Sequence, residues 1–461
     1  VTIQQAFELA LGHHKAGRLA KAEPFYRQIL GTQPDHAEAL HMLGLLAHQS
    51  GHHDVALGLI GRAVVLVPND AGCFANLCDV HRVLGRFDEA VAVGNRAIAL
   101  RPGFAIAHNN LANALMDMGR FDDAIAAYRR TLELIPDDPE AKWNHSLLLL
   151  LGGDFQRGWP LYEARWDTDR LRASNRNFPQ PMWDGSPLDG RRVLLHSEQG
   201  FGDSIQFIRY APLVAKSGGV VVVECQPSLA GLFATVEGVS KVVGDGEPLP
   251  PFDLHVPMLS LPFVFKTEPE TIPNTVPYLA ADPARGQFWR DWLGDDGSRL
   301  KVGLVWAGRT SNFQQGMRAI QLRQLLPLLD VPGVNFISLQ MDGRAGQTFD
   351  TSGASNIRDP REHIGDFADT AALIAQLDLV ITIDTAVAHL AGALGVPLWV
   401  MLPFAPDWRW FLHREDSPWY PTARLFRQQR ILEWDPVIAK VRAELQSLVQ
   451  SLVQSLVQSR E

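Results

Sequence analysis

Cysteine is scarce: only Cys73, Cys78 and Cys225 occur in 461 residues. That is too few for a disulfide framework in a chain this long, and it fits a reducing compartment. Cys73 and Cys78 also lack the second pair that would make a zinc site. An excess of positive charge is missing too. Against 42 Lys and Arg stand 51 Asp and Glu, a formal charge of −9, so nothing basic dominates and a nucleic-acid partner is not expected. No hydrophobic run is long enough to span a bilayer. The most apolar stretch, Leu390 to Phe404, is short, carries Gly and Pro, and reads as a buried helix and strand. The chain opens Val-Thr-Ile-Gln-Gln, without a basic region followed by an apolar run, so no export signal is expected and a cytoplasmic location is. The absent initiating Met points to a trimmed start. With 46% hydrophobic and 20% charged residues, wholesale disorder is excluded, and the length suits two to four domains.

What is present, first of all, is a repeat. Pro34, Pro68, Pro102 and Pro136 are spaced 34 residues apart, in step with Ala22, Ala56, Ala90 and Ala124 and with Gly17, Gly51, Gly85 and Gly119. This is the signature of the tetratricopeptide repeat. Gly ends the first helix of each unit, Ala lets two helices approach, and Pro stops the second helix. Leu43, Leu77 and Leu111 recur inside the first helix and are expected in the core. A further unit begins at Pro139, keeps Gly153 and Phe155, then drifts into Gly158-Trp159 and Tyr162, as a cap would. Asn76, Asn110 and Asn144 share one register. Their amides could hold an extended peptide backbone along the groove, or serve packing between repeats.

After a polar stretch read as a linker, over 166–190, the pattern changes. Short apolar runs at 193–196, 220–224, 241–244 and 254–257 alternate with helical stretches, and a second set lies at 301–306, 335–339, 379–383 and 398–402. Such alternation predicts parallel, doubly wound sheets, in two halves with a cleft between them. Ligands should sit beyond the carboxyl ends of the strands. Asp167-Thr168-Asp169 has the form of a metal-binding Asp-x-Asp, but it precedes the sheet, so a solvated linker is the preferred reading.

Three loops at those strand ends could carry chemistry. In Glu198-Gln199-Gly200-Phe201-Gly202-Asp203, Asp203 is either a helix cap or a general base. In Trp306-Ala307-Gly308-Arg309-Thr310-Ser311, small residues and a guanidinium suit a phosphate, although Arg309 could equally be a surface charge. Asp384-Thr385-Ala386-Val387-Ala388-His389 opens a helix whose free N–H groups favour an anion. There the plainer reading is an ordinary cap and a packed core histidine.

Taken together these loops resemble the bacterial heptosyltransferase-like glycosyltransferases. Gly202-Asp203 with Pro212 resembles their first motif, and Asp384-Thr385-Ala386-Val387-Ala388-His389-Leu390-Ala391 their second. The stretches Glu198 to Tyr210, Ile337 to Gln340, Ser417 to Pro421 and Phe426 to Gln428 resemble bacterial proteins that fuse such a domain to tetratricopeptide repeats. The resemblance implies an all-α repeat solenoid over 1–165, followed by a GT-B fold of two Rossmann-like lobes, 191–298 and 299–430, and a helix and tail over 431–461. It implies inverting, metal-independent transfer of a sugar from a nucleotide sugar, without a cofactor. Asp203 matches the catalytic base. Thr385, Ala386 and His389 match the pyrophosphate cradle, with Gly202 and Asp384 beside them, Arg309 as a second phosphate contact and Gln340 near the nucleoside. Two departures stand out: Ala386 where the family has Gly, and Arg309 where it uses Ser, Thr and Lys. The plan is also similar to protein O-GlcNAc transferase, which points to a protein acceptor held by Asn76, Asn110 and Asn144.

Two rival expectations remain. One is a repeat scaffold with an inactive transferase fold that binds partners. The other is a transferase acting on a glycan or lipid-linked saccharide. At the end of the chain, Ser-Leu-Val-Gln repeats from Ser447 to Gln458. This tail is read as a neutral expansion, with continuation of the helix near Pro436 or self-association into an oligomer as alternatives.

Overall fold

The computed structural model describes residues 2–294, 299–308, 313–341 and 357–458. The chain divides into two compact units, Val1–Leu148 and Leu149–Glu461.

The first unit is all helix. The pairs α1 (Ile3–Lys15) and α2 (Leu19–Thr32), α3 (Ala37–Gln49) and α4 (His53–Leu66), α5 (Ala71–Val83) and α6 (Phe87–Leu100), and α7 (Ala105–Asp117) and α8 (Phe121–Leu134) keep the 34-residue period. Gly17, Gly51, Gly85 and Gly119 follow each first helix at φ between 70° and 80°, a conformation that costs a residue with a Cβ far more. The prolines follow each second helix. Ala22, Ala56, Ala90 and Ala124 are fully buried where the helices touch, and Leu43, Leu77 and Leu111 are buried beside them. Helix α9 (Pro139–Leu151) runs across the boundary, and α10 (Phe155–Tyr162) belongs to the second unit.

The second unit continues with α11 (Asp169–Arg172), then alternates strand and helix. Its first sheet contains β1 (Arg192–His196), β2 (Val220–Cys225), β3 (Val239–Gly244) and β4 (Leu254–Pro257), all parallel, in the order β3-β2-β1-β4. Helices α12 (Phe201–Phe207) and α13 (Ala211–Lys216) join β1 to β2; α14 (Ala230–Phe233) precedes β3, and α15 (Leu261–Val264) and α16 (Pro283–Leu293) follow β4. The second sheet contains β5 (Leu300–Leu304), β6 (Val334–Ser338), β7 (Ile357–Arg358), β8 (Leu379–Ile383), β9 (Leu398–Leu402) and β10 (Ala423–Arg427). It is also parallel, in the order β10-β9-β8-β5-β6-β7. Helices α17 (Phe313–Arg318), α18 (Leu322–Leu329), α19 (Phe367–Ile374), α20 (Ala386–Ala393) and α21 (Asp435–Gln458) complete it. Counted from β5, the strand order is the doubly wound 3-2-1-4-5-6, which reverses direction between β5 and β8.

Strands β8 and β9 run over 379–383 and 398–402, as the apolar runs predict. Strands β7 and β10 have no such signal. The first is two residues long, and the second, Ala-Arg-Leu-Phe-Arg, carries its charges at a sheet edge where they can reach water. The segment over 166–190 is more than a linker. Trp183 and Leu188 are buried, and the Trp183 N–H bonds to the His255 carbonyl at 2.8 Å. Asp169 there is 98% exposed and paired only loosely with Arg172, as befits a solvated residue. The tail repeat continues α21, with Val449 and Leu452 packed on the core of the second sheet.

Candidate functional site

The loops after β5 and β8 diverge at the strand-order reversal, and a crevice opens between them. A cavity of about 550 Å³ lies there, walled by Gly200 to Gly202 from the start of α12, Ala307 and Gly308 after β5, Gln340 after β6, and Asp384 to Val387 at the start of α20. It therefore lies beyond the carboxyl ends of the second sheet and against the first helix of the other sheet, where open α/β sheets bind ligands.

Thr385 is the extended residue before α20, and its side chain makes no capping hydrogen bond to that helix. Its hydroxyl lies 3.1 Å from that of Thr382 instead. Among the described residues no side chain takes up the N–H groups of Ala386 and Val387, which line the cavity. Gln340 lines the cavity, but its carboxamide is held by the loop after β5. Its Oε1 accepts from the Ala307 N–H at 3.0 Å, and its Nε2 donates to the Ala307 carbonyl at 2.9 Å. It braces that loop. Arg309 lies outside the described residues.

A file of alternating charges runs beside the cavity. Asp203 Oδ2 accepts from the Gly200 N–H at 2.8 Å, the cap that its position allows, and Oδ1 accepts from Arg409. Asp203 is not part of the cavity wall. Arg409 also donates to Asp407 at 2.8 Å and to Gln206 at 2.7 Å, and lies over the Trp408 ring. Arg318 stands 3.8 Å from Asp407 and 2.8 Å from Asp384. Asp384 is 7% exposed, whereas Arg318 is 34% exposed and lines the cavity. Burial pushes the Asp384 carboxyl up, against the pull of Arg318 and with a further push from Asp407. Burial acts on Asp407 in the same sense, yet Arg409 and Arg318 hold it below the ordinary value.

His389 is buried and neutral. Burial, with Arg409 adding to it, lowers its pKa to about 3. Its Nδ1 shares a hydrogen bond with the Tyr420 hydroxyl at 2.8 Å, its ring stacks on Trp410, and Nε2 lies 3.9 Å from Asp384. A neutral ring at that distance makes no ion pair, so His389 is the packed core histidine of the plainer reading. Gly202 packs against it, bringing α12 onto α20.

Glu198, at the head of the first loop, is an anchor. It is buried, and Arg165 grips both its oxygens at 3.0 and 3.1 Å while also holding Glu163 and Ser260. Burial raises its carboxyl to about 7 while Arg165 pulls it back.

The asparagines of the first unit each donate to the preceding repeat: Asn76 to His41 at 2.8 Å, Asn110 to the Ala75 carbonyl at 2.9 Å, and Asn144 to Asn113 at 3.2 Å. Their amide nitrogens serve packing between repeats. Arg409, Asp407, Arg318 and Arg165 escaped the sequence reading. A signal for the first two was available: Asp407-Trp408-Arg409-Trp410 sets charges among large aromatics, where they must be buried and paired.

Profiles described as Tetratricopeptide repeat match residues 7–72 and 105–138, and one described as TPR repeat matches 79–119. The first unit is built of tetratricopeptide repeats. Protein FlbA of Caulobacter vibrioides is 28% identical over 346 residues, covering 68% of this chain. That match is longer than the repeat region and so runs into the α/β unit. The chain spans 56% of the length of that relative. Among solved structures, MamA is 23% identical and matches 36% of this chain and 97% of its own, with a TM-score of 0.30. A thermophilic TPR protein of Thermus thermophilus is 21% identical, matching 38% and 94%, with a TM-score of 0.34. Among the described residues, no helix is long and apolar enough to cross a membrane.

Proposed function

We propose that the second unit is a nucleotide-sugar-dependent glycosyltransferase of GT-B type, and that the tetratricopeptide repeats recruit a protein acceptor. The observation that carries this reading is the cavity at the strand-order reversal, where an uncapped helix start and Arg318 face the same space. Both features suit a diphosphate: N–H groups and the helix dipole on one side, a guanidinium on the other. The resemblance of Gly202-Asp203 and of Asp384 to Ala391 to the heptosyltransferase motifs supports the same chemistry.

In this reading the nucleoside diphosphate occupies the cavity, and Arg318 takes the place assigned to Arg309 or shares it. Charge that builds on the leaving diphosphate is met by the start of α20 and by Arg318, without a metal. Asp203 takes the proton of the acceptor hydroxyl as its oxygen attacks the anomeric carbon from the face opposite the diphosphate, so configuration inverts. Asp203 must first part from Arg409. Asp407, 2.8 Å from Arg409, keeps that buried cation paired when it does. His389 acts as a neutral wall that fixes α12 on α20.

The pairing of Asp203 with Arg409, away from the cavity wall, favours a second reading, a nucleotide-binding scaffold without turnover. Incubation with a panel of nucleotide sugars, with and without candidate proteins, separates the two. Hydrolysis or transfer of one donor supports the enzyme, and binding without either supports the scaffold.

A further inference from the structure

The repeats contain their own control for unusual residues. At the register of Cys73 the first unit carries Gln5, and the other three carry Ala39, Ala107 and Ala141, all fully buried. At the register of His41 the later units carry Ala75, Asn109 and Trp143. Where α3 meets α5, the unusual Cys73 comes close to His41. One ring nitrogen of His41, one carboxylate oxygen of Asp70 and the Cys73 sulfur all lie within 4.8 Å of one another.

Hydrogen bonds already hold two of these groups in place. Asp70 caps α5, accepting at Oδ1 from the N–H groups of Gly72 and Cys73 at 2.7 and 3.2 Å, which fixes its carboxylate. The Asn76 amide nitrogen donates to Nε2 of His41 at 2.8 Å, so a cation taking that nitrogen displaces this hydrogen bond. Half a turn of the Asn76 amide would bring its oxygen to the same place as a fourth donor. The Cys73 thiol is buried, and the residue's backbone N–H bonds to Asp70 at 3.2 Å.

We propose that His41, Asp70 and Cys73 form a site for a borderline divalent transition ion, Zn²⁺ foremost, that ties the first helices of two successive repeats together. The mixed nitrogen, oxygen and sulfur donors suit Zn²⁺ and not Ca²⁺ or Mg²⁺, which take oxygen shells. Ligand atoms around tetrahedral zinc lie about 3.3–3.8 Å apart, so the three groups need draw in by only about 1 Å. As the Zn–S bond forms, the thiol proton leaves to solvent; no electron is transferred. This site is independent of the transferase reading.

The test is titration of the chelator-treated full chain with Co²⁺, which reports thiolate ligation by a near-ultraviolet charge-transfer band. One equivalent should produce the band, Zn²⁺ should displace it, and either ion should raise Tm. Cys73→Ala installs the residue that three other units carry, so the fold should survive. It should abolish the band and weaken binding more than about tenfold. His41→Ala, the residue of the next unit, should weaken binding likewise. Absence of the band in the wild-type chain, or its survival in Cys73→Ala, would overturn the proposal.

Discussion

At Gly202 an added Cβ would lie 2.8 Å from Cδ2 of His389 and 3.5 Å from the Cα of Ala386. The ring cannot give way easily, since Tyr420 and Trp410 hold it. Gly202→Ala should therefore cost about 1–3 kcal/mol through forced separation of α12 from α20, read as a lowered urea midpoint. For Asp203→Asn, a neutral side chain still accepts from Gly200 but loses the ion pair with Arg409. The loss should be about 1–3 kcal/mol. In the transferase reading the variant binds donor but transfers it at least about a hundredfold more slowly. A wild-type rate would leave Asp203 as a cap alone. Histidine protonation adds a pH dependence. His196 and His389 both have pKa values lowered to about 3, mainly by burial. Unfolded imidazoles protonate near pH 6.5. Below that pH the unfolded chain takes up protons that the folded chain refuses, so their contribution is full above about 6.5 and is lost as pH falls toward 3. Glu198, with its carboxyl raised to about 7, acts in the opposite sense over this range. Two histidines outweigh one carboxyl, so urea midpoints should drop between about pH 6.5 and 5, and a flat profile there would contradict the buried neutral state.

At the scale of elements, the start of α20 and the repeat interfaces each carry an expectation. Bulky residues in place of Thr385 and Ala386 should fill the mouth of the cavity and abolish binding of nucleoside diphosphates while far-UV circular dichroism stays unchanged. Undiminished affinity by calorimetry would remove this helix start from the site. In the solenoid, changing Asn76, Asn110 and Asn144 together to Ala removes one hydrogen bond at each of three repeat interfaces. Each loss should cost about 0.5–1.5 kcal/mol. An unchanged midpoint for the repeat unit would show that these bonds contribute nothing to stacking. The repeat was fully legible because its Gly, Ala and Pro report local needs: a positive φ, a close helix contact, and a helix stop.

Across the whole molecule, the doubly wound order of the second sheet directs attention to one crevice. If that crevice takes a nucleoside diphosphate, ligand at a hundred times Kd should stabilise the folded chain by about 2.7 kcal/mol. Thermal shift across the nucleotide series measures this, and no shift for any member would argue against a nucleotide site.

The sequence by itself determined the period, length and caps of the repeat helices, most strands of both sheets, and the loops at their ends. Each of these depends on residues near one another in the chain. The tertiary structure alone decided what the loop residues touch. Asp203 and Arg409 are 206 positions apart, and Gly202 meets His389 only because two sheets bring α12 onto α20. Burial and long-range pairing set which carboxylates are raised and which lowered, and no local pattern encodes them. For the same reason Gln340 braces a loop, and Arg318, silent in the sequence, faces the cavity.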